Sequence, residues 1–330
     1  MATTQPNRLV EFLTNLDNGY EIFESITRQL SPMDLVNLRQ TSRDLQTACE
    51  TVVATQWSIN KALRKFVKDP TAFRNTMSLE HSVISGDFAL RFFDRAAPGN
   101  VLDLWTNTEV RGSRMEKCLL EEGYKADNDQ LVLGKTGEWE VYDIIFTRPS
   151  HRGDGPKIHF HMCRALPTLH ILRGYQECTA LANIITSTKA YAPFANLTFT
   201  KHRSYVLYPD REYPRIGIKQ FSPSFLAIVN KSGRPNVDVT LVDERRLTTA
   251  SGNRAPEMRS LSDSQTWTIP LDPEGITPDF VTDASEFSIS TAQICCLYRS
   301  DVVEAKDRWV PRTRNPWVFL AGPKHDFIAR

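Results

Sequence analysis

The stretch that decides the fold is HSVISGDFALRFFDRAAPGNVLDLW, residues 81–105. An apolar run ending at Val83 and Ile84 meets a Ser-Gly pair, which predicts a strand end followed by a turn at Gly86. Large apolar residues then recur at helical spacing and predict an amphipathic helix. Its apolar side is formed by Phe88, Leu90, Phe92 and Phe93. A second apolar run, which carries the single carboxylate Asp103, predicts the next strand.

The turn has the properties of an anion site. A glycine at position 86 lets the backbone approach a phosphate closely, and the first amides of the following helix favour anions. Together with the carboxylate on the next strand, this turn resembles the Gly-Ser turn and Asp-x-Asp strand of polymerase-beta-type nucleotidyltransferases. The resemblance implies a remnant phosphate and metal site. Its residues are Ser85, Gly86, Asp87 and Asp103.

Two departures from that pattern argue against catalysis. Asp87 takes the place of a phosphate-binding hydroxyl, where its carboxylate caps the helix and repels nucleotide. Carboxylates at i and i+2 of a strand can hold two magnesium ions, but Val101 stands two residues before Asp103. We therefore expect a degenerate site with no catalytic residues, no cofactor and no metal. A residual nucleotidyltransferase is the alternative.

A third carboxylate is expected from a neighbouring strand, and the best candidate is KIHFHM, residues 157–162. Its two polar residues on one face are His159 and His161. Histidines two apart on a strand can ligate zinc, and His151 and His170 lie nearby in the sequence. The favoured interpretation is that these are polar residues on a half-exposed strand.

The first 80 residues predict a helical hairpin. In YEIFESITRQL the apolar residues form one helical stripe, which consists of Ile22, Phe23, Ile26 and Leu30. In the following SPMDLVNL, Ser31 is the predicted N-cap, Pro32 the first helical residue and Asp34 a first-turn carboxylate. Two short helices joined at Ser31 are too small to be stable alone.

From about residue 16 to about residue 48 this hairpin resembles an F-box. The match rests on the apolar stripe, on Ser31, Pro32, Asp34 and Leu35, and on Leu38, Ser42, Arg43 and Leu45. The resemblance implies that the hairpin docks on a Skp-type adaptor of a cullin RING ubiquitin ligase. The implied adaptor-binding residues are Ile22, Phe23, Ile26, Leu30, Pro32, Leu35 and Leu38. The alternative is a hairpin that packs only on its own chain.

The remainder of the chain predicts mixed structure that becomes richer in strands. Residues 138–146 and 157–162 read as strands, and a long helix is expected from about residue 166 to about residue 191. After residue 199, short β-branched or aromatic runs alternate with Pro, Gly, Asn and Asp clusters. The runs are SYVLY, RIGIKQF, FLAIV, VDVTLV, TWTIPL, FSIST and WVFLAG. They form either an extension of the preceding sheet or a small sandwich.

The predicted fold class is therefore α+β. Its parts are a helical, F-box-like region at 1–78, a degenerate nucleotidyltransferase-like α/β domain at 79–200 and a β-rich extension at 201–330. Forty basic and 39 acidic residues leave a net charge of +1, which makes nucleic acid an unlikely partner. Six scattered cysteines indicate reduced thiols. Without a signal peptide or an apolar span, an intracellular protein of the cytoplasm or nucleus is expected, with no membrane partner.

The whole chain resembles a group of uncharacterised fungal proteins with an F-box-like hairpin and a nucleotidyltransferase-like motif. The resemblance covers the hairpin, ISGDFALRFF, the LDL segment, CLLEEGYK, ALANIITSTKAYAPFANLTF and WTIPLD. The expected function is a non-catalytic interaction protein, a substrate receptor with an unknown protein client. The alternative is a structural or self-assembling protein, for which a homo-oligomer is possible.

Overall fold

The structure is a computed structural model with a mixed α+β fold. It describes residues 16–41, 43–107, 113–127, 141–149, 155–163, 166–172, 178–204, 238–239, 257–277 and 286–289. Within these residues, helices lie at both the beginning and the middle of the chain, around one mixed sheet of eight strands. The predicted α+β class is confirmed at this level.

The helices are concentrated in the first half of the chain. They are α1 (Leu16–Gln29), α2 (Pro32–Arg39), α3 (Arg43–Gln56), α4 (Ile59–Leu63), α5 (Pro70–Leu79), α6 (Gly86–Phe93), α7 (Arg114–Glu121) and α8 (Pro167–His170). A 3-10 turn at Thr179–Leu181 and a π-helical turn at Asn196–Thr200 follow.

The strands begin at the decisive stretch. They are β1 (Val83–Ser85), β2 (Val101–Asn107), β3 (Lys125–Ala126), β4 (Val141–Thr147), β5 (Lys157–Cys163), β6 (Ile184–Ile185), β7 (Lys189–Ala192), β8 (Arg203–Ser204), β9 (Asp238–Val239), β10 (Glu257–Ser260), β11 (Trp267–Pro270) and β12 (Glu286–Ile289). The large sheet has the order β11-β7-β6-β1-β2-β5-β4-β3. In it β2 and β5 pair in parallel, and the other described pairs are antiparallel.

One face of the sheet is buried along its length under the helices. Every second residue of the central strands joins this core, as the period of two in a strand requires. The residues are Ile84, Leu102, Leu104, Ile144, Phe146, Ile158, Phe160 and Met162. Helix α6 contributes its predicted apolar side, since Phe88, Leu90, Phe92 and Phe93 are all buried.

The second face of the sheet is covered only in part. A second cluster buries Val83, Trp105, Val141 and Cys163 beneath residues 171–172. Further along the same strands this face becomes half-buried and then exposed, from Asp103 to Lys157. The polar residues picked out from the sequence lie at this boundary between covered and open surface.

Within the N-terminal hairpin, helix α2 begins at the residue that the sequence predicts. Ser31 accepts a hydrogen bond from the Asp34 amide at 3.1 Å, and the Asp34 carboxylate accepts one from the Ser31 amide at 3.0 Å. This reciprocal capping box satisfies two amides that a helix start otherwise leaves unpaired. The predicted N-cap and first-turn roles are confirmed.

The long helix expected from about residue 166 to about residue 191 is wrong. Among the described residues of this range, helical structure is limited to α8, residues 171–172 and the 3-10 turn at Thr179–Leu181, and residues 184–185 and 189–192 form β6 and β7. Ile185 pairs with Ile84 of β1, and Ala190 pairs with Ile185. The β-branched pair at 184–185 suits a buried strand, and this pairing with a distant strand overrides the helical spacing.

The β-rich part extends the sheet at one strand. β11, within the predicted run TWTIPL, pairs with β7 and forms an edge of the large sheet. Part of FSIST forms β12, which pairs with β10, and β9 lies in VDVTLV. Of SYVLY, Ser204 lies at the end of β8, and the other residues lie outside the described part of the chain. The runs RIGIKQF, FLAIV and WVFLAG lie outside the described residues.

Arg74 links the helical layer to the edge of the sheet that contains β6, β7 and β11. It is only 1% exposed, and its guanidinium donates to the Ser187 carbonyl at 2.6 and 2.8 Å, to the Asp272 carbonyl at 2.6 Å and to Asn60 Oδ1 at 2.9 Å. These acceptors are neutral, and the nearby charge of Asp272 also favours the ionised guanidinium, so hydrogen bonds and this carboxylate together offset the cost of burying the charge. Arg74 thereby joins α5 to the β6–β7 turn and to the end of β11.

We predict that Arg74→Met lowers the free energy of unfolding by about 3 to 5 kcal/mol, because the buried Ser187 carbonyl and the part-buried Asp272 carbonyl lose their donors. The measurement is urea unfolding followed by circular dichroism. The matched control is Arg64→Met, an exposed arginine on the neighbouring turn, expected to change stability by no more than about 0.5 kcal/mol. Equal effects of the two substitutions would show that Arg74 does not hold these elements together.

Candidate functional site

Four polar side chains come together on the half-open face of the sheet: Asp103 of β2, Asp143 of β4, and His159 and His161 of β5. Asp103 is paired in register with His159, and Asp143 with His161. Paired residues on neighbouring strands project from the same face, as do residues two apart on one strand. We call these four residues the Asp-His cluster.

Imidazole and carboxylate groups alternate along the cluster. His161 Nδ1 lies 2.6 Å from Asp143 Oδ1, and His161 Nε2 lies 3.6 Å from Asp103 Oδ1. His159 Nδ1 approaches the same Asp103 oxygen at 3.4 Å. The His161 ring therefore lies between two carboxylates, and Asp103 lies between two imidazoles.

This arrangement shifts both central groups toward their charged forms. Burial alone lowers the pKa of His161, but the neighbouring Asp143 and Asp103 carboxylates outweigh it and raise that pKa to about 9. Burial alone raises the pKa of Asp103, but hydrogen bonds and charge from His159 and His161 lower it to about 2. At neutral pH the cluster holds an imidazolium against an ionised carboxylate.

Trp105 forms the covered side of the cluster. Its ring stacks on the His161 ring, with centroids 4.1 Å apart and an interplanar angle of 21°. A cation above an indole ring is stabilised by the ring quadrupole, so this contact also favours the protonated form of His161. Trp105 is itself buried, at 3% exposure.

The decisive glycine lies directly against Asp103. Gly86 has φ +73°, and a Cβ atom placed on it would lie 2.1 Å from Asp103 Oδ2. Both facts exclude a larger side chain, because L residues disfavour this φ and the carboxylate already fills the space. The start of α6 is therefore packed against the protein's own carboxylate.

The other two residues of the remnant site point elsewhere. The Ser85 hydroxyl is fully buried and lies 2.7 and 3.0 Å from the carbonyls of Asn183 and Leu181. Asp87 accepts a hydrogen bond from Arg91 at 2.5 Å through Oδ2. Its described hydrogen-bond partner is therefore Arg91, and not the backbone amides at the start of the helix. The structure brings Gly86 and Asp103 together, and it turns the Ser85 hydroxyl toward the neighbouring backbone.

Zinc ligation by the two histidines is the alternative interpretation of this strand. Among the residues that the structure describes, no group of three or more His, Cys, Asp or Glu side chains is arranged to hold a metal ion. The two carboxylates beside His161 favour its protonated form, whereas a metal ligand must be neutral. His170 lies on α8, and His151 lies outside the described residues.

Asp143 is the functional residue that the sequence analysis missed. Its strand was recognised in EWEVYDIIF, but acidic partners for the histidines were sought by spacing along the chain. The partner comes instead from the antiparallel strand β4, which precedes β5 in the chain and pairs with it. A polar residue on the face of that strand opposite its apolar core side is the signal that could have indicated it.

The predicted adaptor-binding residues separate into three groups by exposure. Phe23 and Leu35 are buried in the core at 1% and 3% exposure. Leu30 and Leu38 are half-buried and pack against the same core, and Pro32 is also half-buried. Ile22 and Ile26 are exposed at 49% and 42%.

Comparison with family models, with curated proteins and with solved structures found no match for this chain. Within the described residues, none of the helices is both long and apolar enough to cross a membrane. The geometry of the site and of the hairpin therefore carries the functional argument.

We predict that the cluster makes stability depend on pH in two windows. A His161 pKa raised from 6.5 to about 9 contributes on the order of 3 kcal/mol that is fully present below pH 6.5 and is lost as the pH rises through 9. The lowered Asp103 pKa contributes stability that is present above pH 3.8 and is lost as the pH falls toward 2. Denaturant unfolding across these ranges measures both. His161→Gln should flatten the alkaline window, and an unchanged alkaline slope in that variant would refute the assignment.

We predict that Gly86→Ala costs about 2 to 4 kcal/mol, because it combines an unfavourable φ with overlap against Asp103. In an Asp103→Ala background the same substitution should cost about 1 to 2 kcal/mol less, since only the φ penalty remains. Chemical denaturation of the four proteins in this double-mutant cycle measures the difference. Strict additivity would mean that the carboxylate does not fill the space beside Gly86.

Proposed function

We propose that this chain is a non-catalytic interaction protein whose α1–α2 hairpin docks a Skp-type adaptor as an F-box does. In this proposal the sheet domain, a degenerate nucleotidyltransferase-like scaffold, presents a client for ubiquitin transfer. The observation that carries the proposal is the exposure of Ile22 and Ile26, one helical turn apart on α1. Large apolar side chains exposed side by side suit a protein interface.

The adjoining side of α1 explains how the hairpin can offer those residues and remain folded. Phe23 and Thr27 of α1 are buried at 1% and 0% exposure, and Leu30 packs against the core. The helix therefore has one stripe that holds it to the chain and a separate stripe that faces outward. The proposal assigns the main adaptor contact to Ile22 and Ile26, with Pro32 at the edge.

The hairpin is fixed to the sheet domain through Arg95. Its guanidinium donates to the Thr27 carbonyl at 2.8 Å, to the Leu30 carbonyl and to Gln56 Oε1 at 2.6 Å. It also lies over the Trp57 ring, 5.1 Å from the centroid. Because Arg95 binds the last turn of α1, where a cation is favoured, an adaptor on this helix is held at a set position relative to the sheet.

The remnant site supports a scaffold without phosphoryl transfer. That reaction depends on positioned metal ions and on neutralisation of phosphate charge. Asp103 already has His161 and His159 as close partners, and the position expected for a second metal carboxylate holds Val101. The Ser85 hydroxyl is bound to carbonyls. These contacts favour an interaction role over a residual nucleotidyltransferase.

We expect a purified fungal Skp-type adaptor to bind the intact chain and to lose at least about tenfold in affinity for the Ile22→Asp, Ile26→Asp variant, since charged side chains replace the central apolar contact. Isothermal titration calorimetry measures the affinity. The matched control is Ile22→Val, Ile26→Val, which keeps the surface apolar and should retain most of the binding. Thermal unfolding checks that both variants fold.

Two outcomes would overturn the proposal. One is an intact chain that does not bind the adaptor, or a charged variant that binds it as well as the intact chain does. The other is an intact chain that forms a dimer lost in the charged variant, because the exposed stripe would then be a self-contact. Sedimentation of both proteins in the absence of the adaptor distinguishes this second case.

A further inference from the structure

Two lysines stand at the open end of the sheet face that carries the Asp-His cluster. Lys157 begins β5 and Lys125 begins β3, and both are paired with Thr147 at the end of β4. The three side chains therefore project from the same face, and two strand spacings place the lysine backbones about 10 Å apart. Both lysines are exposed. We call Lys125, Thr147 and Lys157 the lysine row.

The lysine row carries positive charge that the described residues do not neutralise. Neither Lys125 nor Lys157 lies within ion-pair distance of a carboxylate in the described part of the chain. The surface beside the row is half-buried and includes Val101, which is paired with Lys157, and Ile145, which lies two residues before Thr147. In the described part of the chain, the lysine row thus combines ammonium groups that have no carboxylate partner with a partly apolar surface beside them.

Two more cations lie at this end of the sheet, on the face that the helices cover. Arg148 donates to the carbonyls of Phe66 and Lys65 at 3.2 and 3.1 Å, and Lys65 donates to the Pro98 carbonyl at 2.9 Å. Carbonyl acceptors fix these side chains without cancelling their charge. Burial and the nearby Arg91 charge lower the pKa of Lys65, as expected where cations accumulate. The positive potential therefore extends around the sheet end.

The positively charged area is short, and a carboxylate lies on either side of it. Asp127, whose amide donates to the Ile145 carbonyl at 2.8 Å, continues β3 and lies about 7 Å from Lys125 along the strand. On the other side lies Asp103 in the Asp-His cluster. A nucleic acid backbone needs a continuous basic track, and these carboxylates interrupt one. A short acidic segment fits between them.

The apolar features of this face also favour a peptide over other polyanions. Trp105 is 3% exposed beneath His161, so it offers no platform for stacking a base. In the described residues the large exposed apolar side chains are Ile22, Ile26, Leu79 and Leu120. None of them belongs to the strands of this face, so an anionic membrane finds no apolar anchor there.

We propose that the lysine row binds an acidic peptide segment of a partner protein. Two acidic side chains two residues apart on an extended peptide lie about 7 Å apart, within reach of lysine side chains whose backbones are about 10 Å apart. The identification of this partner with the client rests on the proposed function. The binding of an acidic segment by the lysine row rests on the charge arrangement alone.

The test is fluorescence anisotropy with the full chain and a labelled peptide of alternating glutamate and serine. The intact protein should bind it, more weakly as salt is added, and should not bind the same peptide with glutamine in place of glutamate. Lys125→Glu, Lys157→Glu should lower the affinity about tenfold or more. The control Lys117→Glu, Lys201→Glu makes the same change of charge at exposed lysines elsewhere and should lower it less than about twofold.

Equal losses in the two double variants would overturn the inference, because net charge and not the row would then govern binding. A deoxythymidine oligonucleotide that binds more tightly than the peptide, with the same dependence on Lys125 and Lys157, would also overturn it in favour of nucleic acid. The Ile22→Asp, Ile26→Asp variant separates this inference from the adaptor proposal. It should bind the peptide normally, so loss of adaptor binding and loss of peptide binding are distinguishable failures.

Discussion

The contact between Asp103 and Gly86 is the constraint on which the rest of the site depends. An Asp103 oxygen occupies the place that a side chain at position 86 would fill. The turn between β1 and α6 must therefore be glycine, and α6 must begin close to β2. Helix α6 in turn presents its aromatic side to the buried face of the sheet. The close contact between Gly86 and Asp103 therefore sets the spacing between α6 and the central strands.

The charge of Asp103 is satisfied within the protein. His161 approaches it from the neighbouring strand and is itself held by Asp143 and by the stacked ring of Trp105. A carboxylate in a metal site depends on a bound cation, whereas here an imidazolium from the chain takes that role. Burial makes such a pair strong only when both partners keep their hydrogen bonds. This explains how Asp103 can be ionised beside the start of α6 in a stable fold.

Local signals predicted local structure, and pairing between distant strands accounts for what they missed. The turn at Gly86, the start of α2 at Ser31 and the apolar side of α6 depend on residues within one or two turns, and each was predictable. Ile184 and Ile185 also fitted a helical spacing, but their pairing with β1 and β7 makes them a strand. Asp143 was missed for a related reason, because the register of β4 on β5, and not spacing along the chain, sets it against His161. The exposure of Ile22 beside the burial of Phe23 depends on packing against the rest of the chain, so the sequence alone assigned both to the adaptor.

The protonation of His161 is the property that most directly tests this account. Nitrogen-15 NMR of the imidazole at neutral pH reports whether one or both ring nitrogens carry a proton. The account predicts that both are protonated up to a pH near 9, and that magnesium with a nucleoside triphosphate leaves the His161 signals unchanged. A neutral His161 at neutral pH, or signals that shift when magnesium and nucleotide are added, would contradict the account and point to a working nucleotide site at Asp103.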